Sequence, residues 1–198
     1  QMAELSRDTL NKAMDLTLTY NEQGGREVQN AETEVDMYED KLGTYMVKLS
    51  ACSVSASDSR ELSKLLHCIG DFERISDHAV NILHSAEEMQ QKNIQFSPEA
   101  EADLRVMYAA VREIVDIATR CFVENDVELA ARVEPLEQTI DQLRSQLKSR
   151  HIARLQRGEC TTMLGFVFAD LNTNFERVAD HCSNIAVCVI QVSHNIFD

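Results

Sequence analysis

Apolar and polar residues alternate along this chain with the 3.6-residue period of an α-helix almost from end to end. The apolar stripes and the breaks between them predict six helices. The first covers about 2–21 and stops near Gly24-Gly25; the second covers about 26–52, where a Ser-rich stretch at 53–57 breaks it. Asp58-Ser59-Arg60-Glu61 has the form of a capping box and opens a third helix that continues to about Gln91. Residues 92–97 read as a linker, with Ser97 as an N-cap and Pro98 at the first helical position of a fourth helix, about 98–123. Asn125-Asp126-Val127-Glu128 resembles another cap and opens a fifth helix to about 156; Pro135 falls inside that pattern and marks either its start or a kink. Gly158 ends it, and a sixth helix covers about 160–195. The predicted fold is therefore all-α: two tandem antiparallel three-helix bundles, residues 1–91 and 98–198.

The two halves repeat. Residues 71–82 read DFERISDHAVNI and residues 174–185 read NFERVADHCSNI, an offset of 103. Nearly the same offset aligns ETEVD at 32–36 with EQTID at 137–141, so the repeat reaches at least two helices of each half. Every one of these four segments carries Glu-x-x-x-Asp: Glu32/Asp36, Glu73/Asp77, Glu137/Asp141 and Glu176/Asp180. Residues four apart lie on one helix face, one turn above each other. At about 100° per residue, each motif Glu lies roughly 80° from the centre of its apolar stripe and each Asp roughly 120° away. Those stripes are Val28, Val35 and Leu42 in the second helix, Ile69, Phe72 and Leu83 in the third, and Val133, Ile140 and Leu147 in the fifth.

When two antiparallel helices meet by such stripes, their acidic borders meet along one seam. Each half then gathers four carboxylates, which repel one another strongly unless a cation neutralises them. Hard oxygen donors suit magnesium, calcium, manganese and iron, and zinc also accepts carboxylate. The plain alternative is a solvated acidic face paired with Arg74 and Arg177, which follow the motif Glu directly. His78 and His181 sit about 100° round from the motif Asp, which suits packing or support of a ligand better than ligation. Asn81 and Asn184 are placed to orient a carboxylate or to bond another helix, while His67, His84, His151 and His194 share no repeated frame and read as core or surface residues.

Composition narrows the classes. Only six glycines and two prolines among 198 residues agree with long uninterrupted helices. A formal net charge of -14 argues against nucleic acid and an anionic membrane surface as direct partners. The six cysteines, at 52, 68, 121, 160, 182 and 188, form no CxxC and read as reduced, mostly buried thiols. No apolar run is long enough to span a bilayer. The chain opens on Gln1 and enters a helical pattern at once, which suggests a segment of a longer protein, whose other segments have room for a membrane part.

The doubled Glu-Arg-[Ile/Val]-x-Asp-His-x-x-Asn-Ile cassette, with its companion Glu-x-x-x-Asp motifs, resembles the PhoU family over essentially the whole chain. TYMVKLS (44–50) and HIARLQRGEC (151–160) resemble the PhoU-like regulatory domain that follows the membrane part of bacterial sodium/phosphate cotransporters. That resemblance implies a regulator, not an enzyme, that damps phosphate uptake or phosphate-starvation signalling. It implies metal clusters held at Glu32, Asp36, Glu73, Asp77, Glu137, Asp141, Glu176 and Asp180, with iron, zinc, manganese, magnesium or nickel as candidate ions. It also implies a cytoplasmic location beside an inner-membrane transporter, contact with the transporter's membrane segment or another phosphate-transport component, and compatibility with a homodimer. Ser76 and Ala179 stand where the family often has Gly before the motif Asp; both are small. Glu39 aligns with Arg144, so the second site is expected to hold fewer ions. Two other readings compete: a ferritin-like di-metal enzyme or iron store, weakened because no Glu-x-x-His occurs, and a metal-free helical interaction module.

Overall fold

The computed structural model describes residues 1–51 and 55–194. Among them every regular element is helical: α1 Met2–Leu18, α2 Glu22–Ser50, α3 Ala56–Gln91, α4 Pro98–Glu124, α5 Val127–Ala130, α6 Val133–Gln156 and α7 Thr162–His194. Cys52 and the first part of the Ser-rich break lie outside the described residues, as does the side chain of His194.

Local chemistry explains the ends and corrects three of the expected boundaries. Gly24-Gly25 does not stop the first helix. Asn21 caps α2 by accepting from Gly24 N at 2.7 Å, so both glycines lie in its first turn. They are buried where α1 turns into α2: a Cβ on Gly24 would stand 2.8 Å from Leu16 Cδ2. Lack of bulk, not chain reversal, is what this corner requires. The third helix starts earlier than expected, because the reciprocal capping box is formed by Ser55 and Asp58, at 3.1 and 3.2 Å. The expected fifth helix is split: Asp126 caps the single turn α5, and α6 begins at Val133, which leaves Pro135 in a first turn where its missing N–H has no helical acceptor to lose. Ser97 and Pro98 open α4 as expected. Gly158, at φ +72°, closes α6 with two bonds, Gly158 N to Leu155 O (3.1 Å) and Glu159 N to Arg154 O (3.0 Å).

Helices α1, α2 and α3 pack together, as do α4, α6 and α7. One continuous core runs through both groups, from Leu10 and Met14 through Phe72, Ile75 and Ile82 to Leu104, Met107, Phe168 and Phe175. The groups meet mainly where α3 lies antiparallel to α7. Cys188 Sγ donates to Lys64 O at 3.1 Å near one end of that contact, and Lys92 Nζ reaches Met163 Sδ at 3.0 Å at the other. Cys68, Cys121, Cys182 and Cys188 are buried free thiols, and Cys160 is half-buried. One charged pair is also buried: Arg154 donates to Asp103 at 2.6 Å, tying α6 to α4. The cassette helices α3 and α7 thus form the centre of the molecule, and α2 and α6 flank them outside with one acidic border each.

Candidate metal centre

Glu32 and Asp36 project from α2, and Asp77 from α3, so that one carboxylate oxygen of each lies within 4.8 Å of the others. The register follows from packing. Val28 and Val35 on α2 and Ile69, Phe72 and Ile75 on α3 are buried, and this fixes the rotation of both helices. Glu32, one helical turn after Val28, and Asp36, next to Val35, are carried to the shared edge. Ser76, the small residue beside Asp77, is buried.

The electrostatics are those of a cluster short of positive charge. Burial, then Asp36 and Asp77, raise the pKa of Glu32; burial, then Asp77 and Asp40, raise that of Asp36. Glu73, half-buried beside Asp77, is pushed up to about 7 by burial first and Asp77 second. Arg74 is the nearest counter-charge, 3.1 Å from Asp77 Oδ2 and 3.4 Å from Glu73 Oε2, but it is largely exposed on the rim and contributes little. Glu73 stands next to the three-carboxylate group without joining it.

The second half differs. Burial, then Glu134 and Asp141, with smaller contributions from Asp180 and Glu176, raise the pKa of Glu137, so the acidic border is again crowded. Here the chain supplies its own cation: Arg144 Nη1 lies 3.1 Å from Glu176 Oε1 and 3.9 Å from Asp141 Oδ1. Among the described residues, the grouping of three ligand atoms seen at Glu32, Asp36 and Asp77 has no counterpart at Glu137, Asp141, Glu176 and Asp180.

The rest of the cassette does something else. His181 Nδ1 lies 2.8 Å from Asp71 Oδ1, and Asn184 Nδ2 donates to the same oxygen at 3.2 Å. On the other side of the repeat, His78 Nδ1 lies 2.8 Å from Asn174 Oδ1. The two imidazoles meet in between, with centroids 5.6 Å apart. Glu-x-x-x-Asp therefore faces the flanking helix, while the first residue of the cassette, its His and, on α7, its Asn bind α3 to α7. Among the described residues, neither His78 nor His181 joins a carboxylate cluster. The role of Asp71 and Asn174 was missed in the sequence, although both open the cassette in the repeated frame.

Fold and site together define a duplicated all-helical scaffold whose outer helices share acidic edges with a central pair. The chain belongs to the PhoU family: the PhoU domain model matches residues 1–86 and again 104–189. It is similar to the phosphate-specific transport system accessory protein PhoU homolog 1 of Thermotoga maritima, 26% identical over 193 residues, covering 97% of this chain and 82% of that protein. A PhoU homolog of Pseudomonas aeruginosa is 23% identical over 192 residues, covering 96% and 78%. The crystal structure of PhoU from P. aeruginosa superposes with a TM-score of 0.91 at 21% identity, covering 98% of this chain and 92% of that one. PhoU from Streptococcus pneumoniae gives 0.85 at 18% identity, covering 98% and 90%. The two structures show the same all-helical fold.

Proposed function

We propose that this chain is a metal-dependent regulatory domain of phosphate transport that acts by protein contact. The observation that carries the reading is the group of three carboxylates from two helices, Glu32, Asp36 and Asp77, within 4.8 Å and with little positive charge at hand. All-oxygen donors at this spacing fit a hard ion such as manganese, iron or magnesium, and zinc or nickel also accept carboxylate. Glu32, Asp36 and Asp77 would hold it, with Glu73 as an adjoining ligand or support. When bound, the ion supplies positive charge and nothing catalytic is asked of it. Without the charge, α2 and α3 repel along their shared edge; with it, the edge closes. The face of α2 then becomes a contact surface whose shape depends on metal.

The relatives named above are accessory proteins of phosphate-specific transport, and this supports a transport component as the partner. The similarity of residues 44–50 and 151–160 to cotransporter-attached domains supports the membrane segment of a sodium/phosphate cotransporter in particular, with the domain on the cytoplasmic side. None of the described helices is long and apolar enough to cross a membrane. Arg144 favours a different state for the second half: Glu137, Asp141, Glu176 and Asp180 form a set already part-neutralised, with weaker or fewer ions. The test is phosphate uptake by cells whose full-length protein carries Glu32→Gln with Asp77→Asn. Uptake that no longer responds to external phosphate supports the reading; metal loss with unaltered uptake makes the ion purely structural.

A further inference from the structure

Away from the acidic edges, α6 and α7 part around a cleft of about 300 Å³, a size at the small end for ligand sites. Its walls are mainly apolar: Ile152 and Leu155 from α6, Phe166, Phe168 and Ala169 from α7. Two buried polar side chains lie in the wall of this cleft. His151 is 4% exposed and stacks on Phe168 at 4.3 Å, and neither ring nitrogen has a hydrogen-bond partner among the described residues. Burial and the nearby Arg154 hold it below its ordinary pKa, so it is a neutral imidazole with one N–H to donate. Asn172, also 4% exposed, donates to Arg144 O at 3.0 Å, which pins its amide and leaves Oδ1 unpaired. Gly165 keeps the space beside the imidazole open: a Cβ there would stand 3.3 Å from Leu155 Cδ1 and 3.4 Å from His151 Nε2.

The charge around the cleft runs against that of the chain. The net charge is -14, yet residues 142–158 hold Arg144, Lys148, Arg150, Arg154 and Arg157 with no Asp or Glu; the four arginines pair with Glu176, Asp103 and Glu159, which leaves Lys148 as the uncompensated charge. The cleft lining contains Arg144 and Lys148 and no carboxylate, and Lys148 has no ion-pair partner among the described residues. Exposed Ile152 and Phe166 form apolar lips beside these cations. We propose that the α6–α7 cleft binds a small anionic amphiphile, with an aliphatic chain between Leu155, Phe166 and Phe168 and an anionic head at Lys148, the cation of the lining that no described carboxylate neutralises. The volume suits one medium-length chain, not the two chains of a membrane lipid. The acidic total that speaks against anionic partners for the molecule as a whole does not describe this face, because screening confines each field to about 8 Å at physiological salt.

Isothermal titration of the whole chain with sodium decanoate, kept below its micelle concentration, tests the proposal. It predicts saturable binding of one decanoate per chain, and binding of decyltrimethylammonium, with the same tail and opposite head charge, at least roughly tenfold weaker. Lys148→Glu, a surface change that leaves folding intact, should weaken decanoate roughly fivefold or more. Gly165→Leu should abolish binding while the chain still melts cooperatively; if that variant fails to fold, the Lys148→Glu and head-charge results stand alone. No saturable heat with decanoate, equal affinity for both head charges, or full affinity in Lys148→Glu overturns the proposal. Sedimentation with phosphatidylglycerol vesicles, without decanoate binding, would assign the cations to a membrane surface and overturn the cleft. A concentration-dependent dimer lost in Phe166→Ser, again without decanoate binding, would assign the lips to a second copy and overturn it equally.

Discussion

Replacing Arg144 with Glu should turn the second carboxylate set into a closer copy of the first, where Glu39 holds the corresponding place. At the 3.1 Å separation of Arg144 from Glu176, Coulomb's law gives roughly 1 kcal/mol in water and roughly 5 kcal/mol at an effective dielectric of 20. Arg144 is 37% exposed, so screening keeps the net value near the lower figure, about 1 kcal/mol. The substitution removes that competing cation and adds a carboxylate, and both changes favour a bound metal. Together they are worth about 1–2 kcal/mol, a gain in affinity of roughly tenfold. Isothermal titration of chelator-stripped protein with manganese would resolve the two halves as sites of different affinity. In Arg144→Glu the weaker site should tighten roughly tenfold while the site at Glu32, Asp36 and Asp77 is unchanged. An isotherm identical to that of the unsubstituted chain would refute the idea that Arg144 takes the place of an ion.

Metal-free protein should lose stability as pH rises from about 4.5 to about 7, because folding raises the pKa of Glu73 from an ordinary 4.5 to about 7 and, within that window, the folded chain holds a proton that the unfolded chain has released. Its melting temperature should fall across this range, and Glu73→Gln should flatten the profile. Asp103→Ala strands Arg154, whose side chain is 3% exposed, and should cost about 3–5 kcal/mol in urea unfolding, whereas Asp103→Leu with Arg154→Met should be near neutral. Asp71→Ala removes the acceptor shared by His181 and Asn184 and should cost about 1–3 kcal/mol, with faster amide exchange in the middle of α3 and α7.

Helical periodicity was enough to place α3, α4 and α7, because each carries a regular apolar stripe and local caps such as Ser97-Pro98. The carboxylate face was legible for the same reason: the angle between Glu32 and the stripe of Val28 and Val35 is a property of one helix. What escaped the sequence depends on contacts between distant residues. Gly24-Gly25 reads as a stop until Leu16 is seen to fill the space beside it. The pairing of Asp71 with His181 requires the relative register of two helices, about which helical spacing is silent. The same limit hid that Glu73 stands beside Asp77 but outside the group it forms with Glu32 and Asp36, since side-chain reach across a seam is set by packing. Arg144 was legible as a departure from the repeat, and its salt bridge to Glu176 gives the departure a physical effect.

Whether Glu32, Asp36 and Asp77 hold a metal ion is decided by the metal content of the chain purified without chelator, read by plasma mass spectrometry. The unsubstituted chain should carry at least one transition-metal or magnesium ion per molecule, and Glu32→Gln with Asp77→Asn should lose the first-half ion while retaining its fold. Equal metal content in the two proteins, or none in either after incubation with excess manganese, iron and zinc, would contradict the account and leave the acidic edge a solvated helix face.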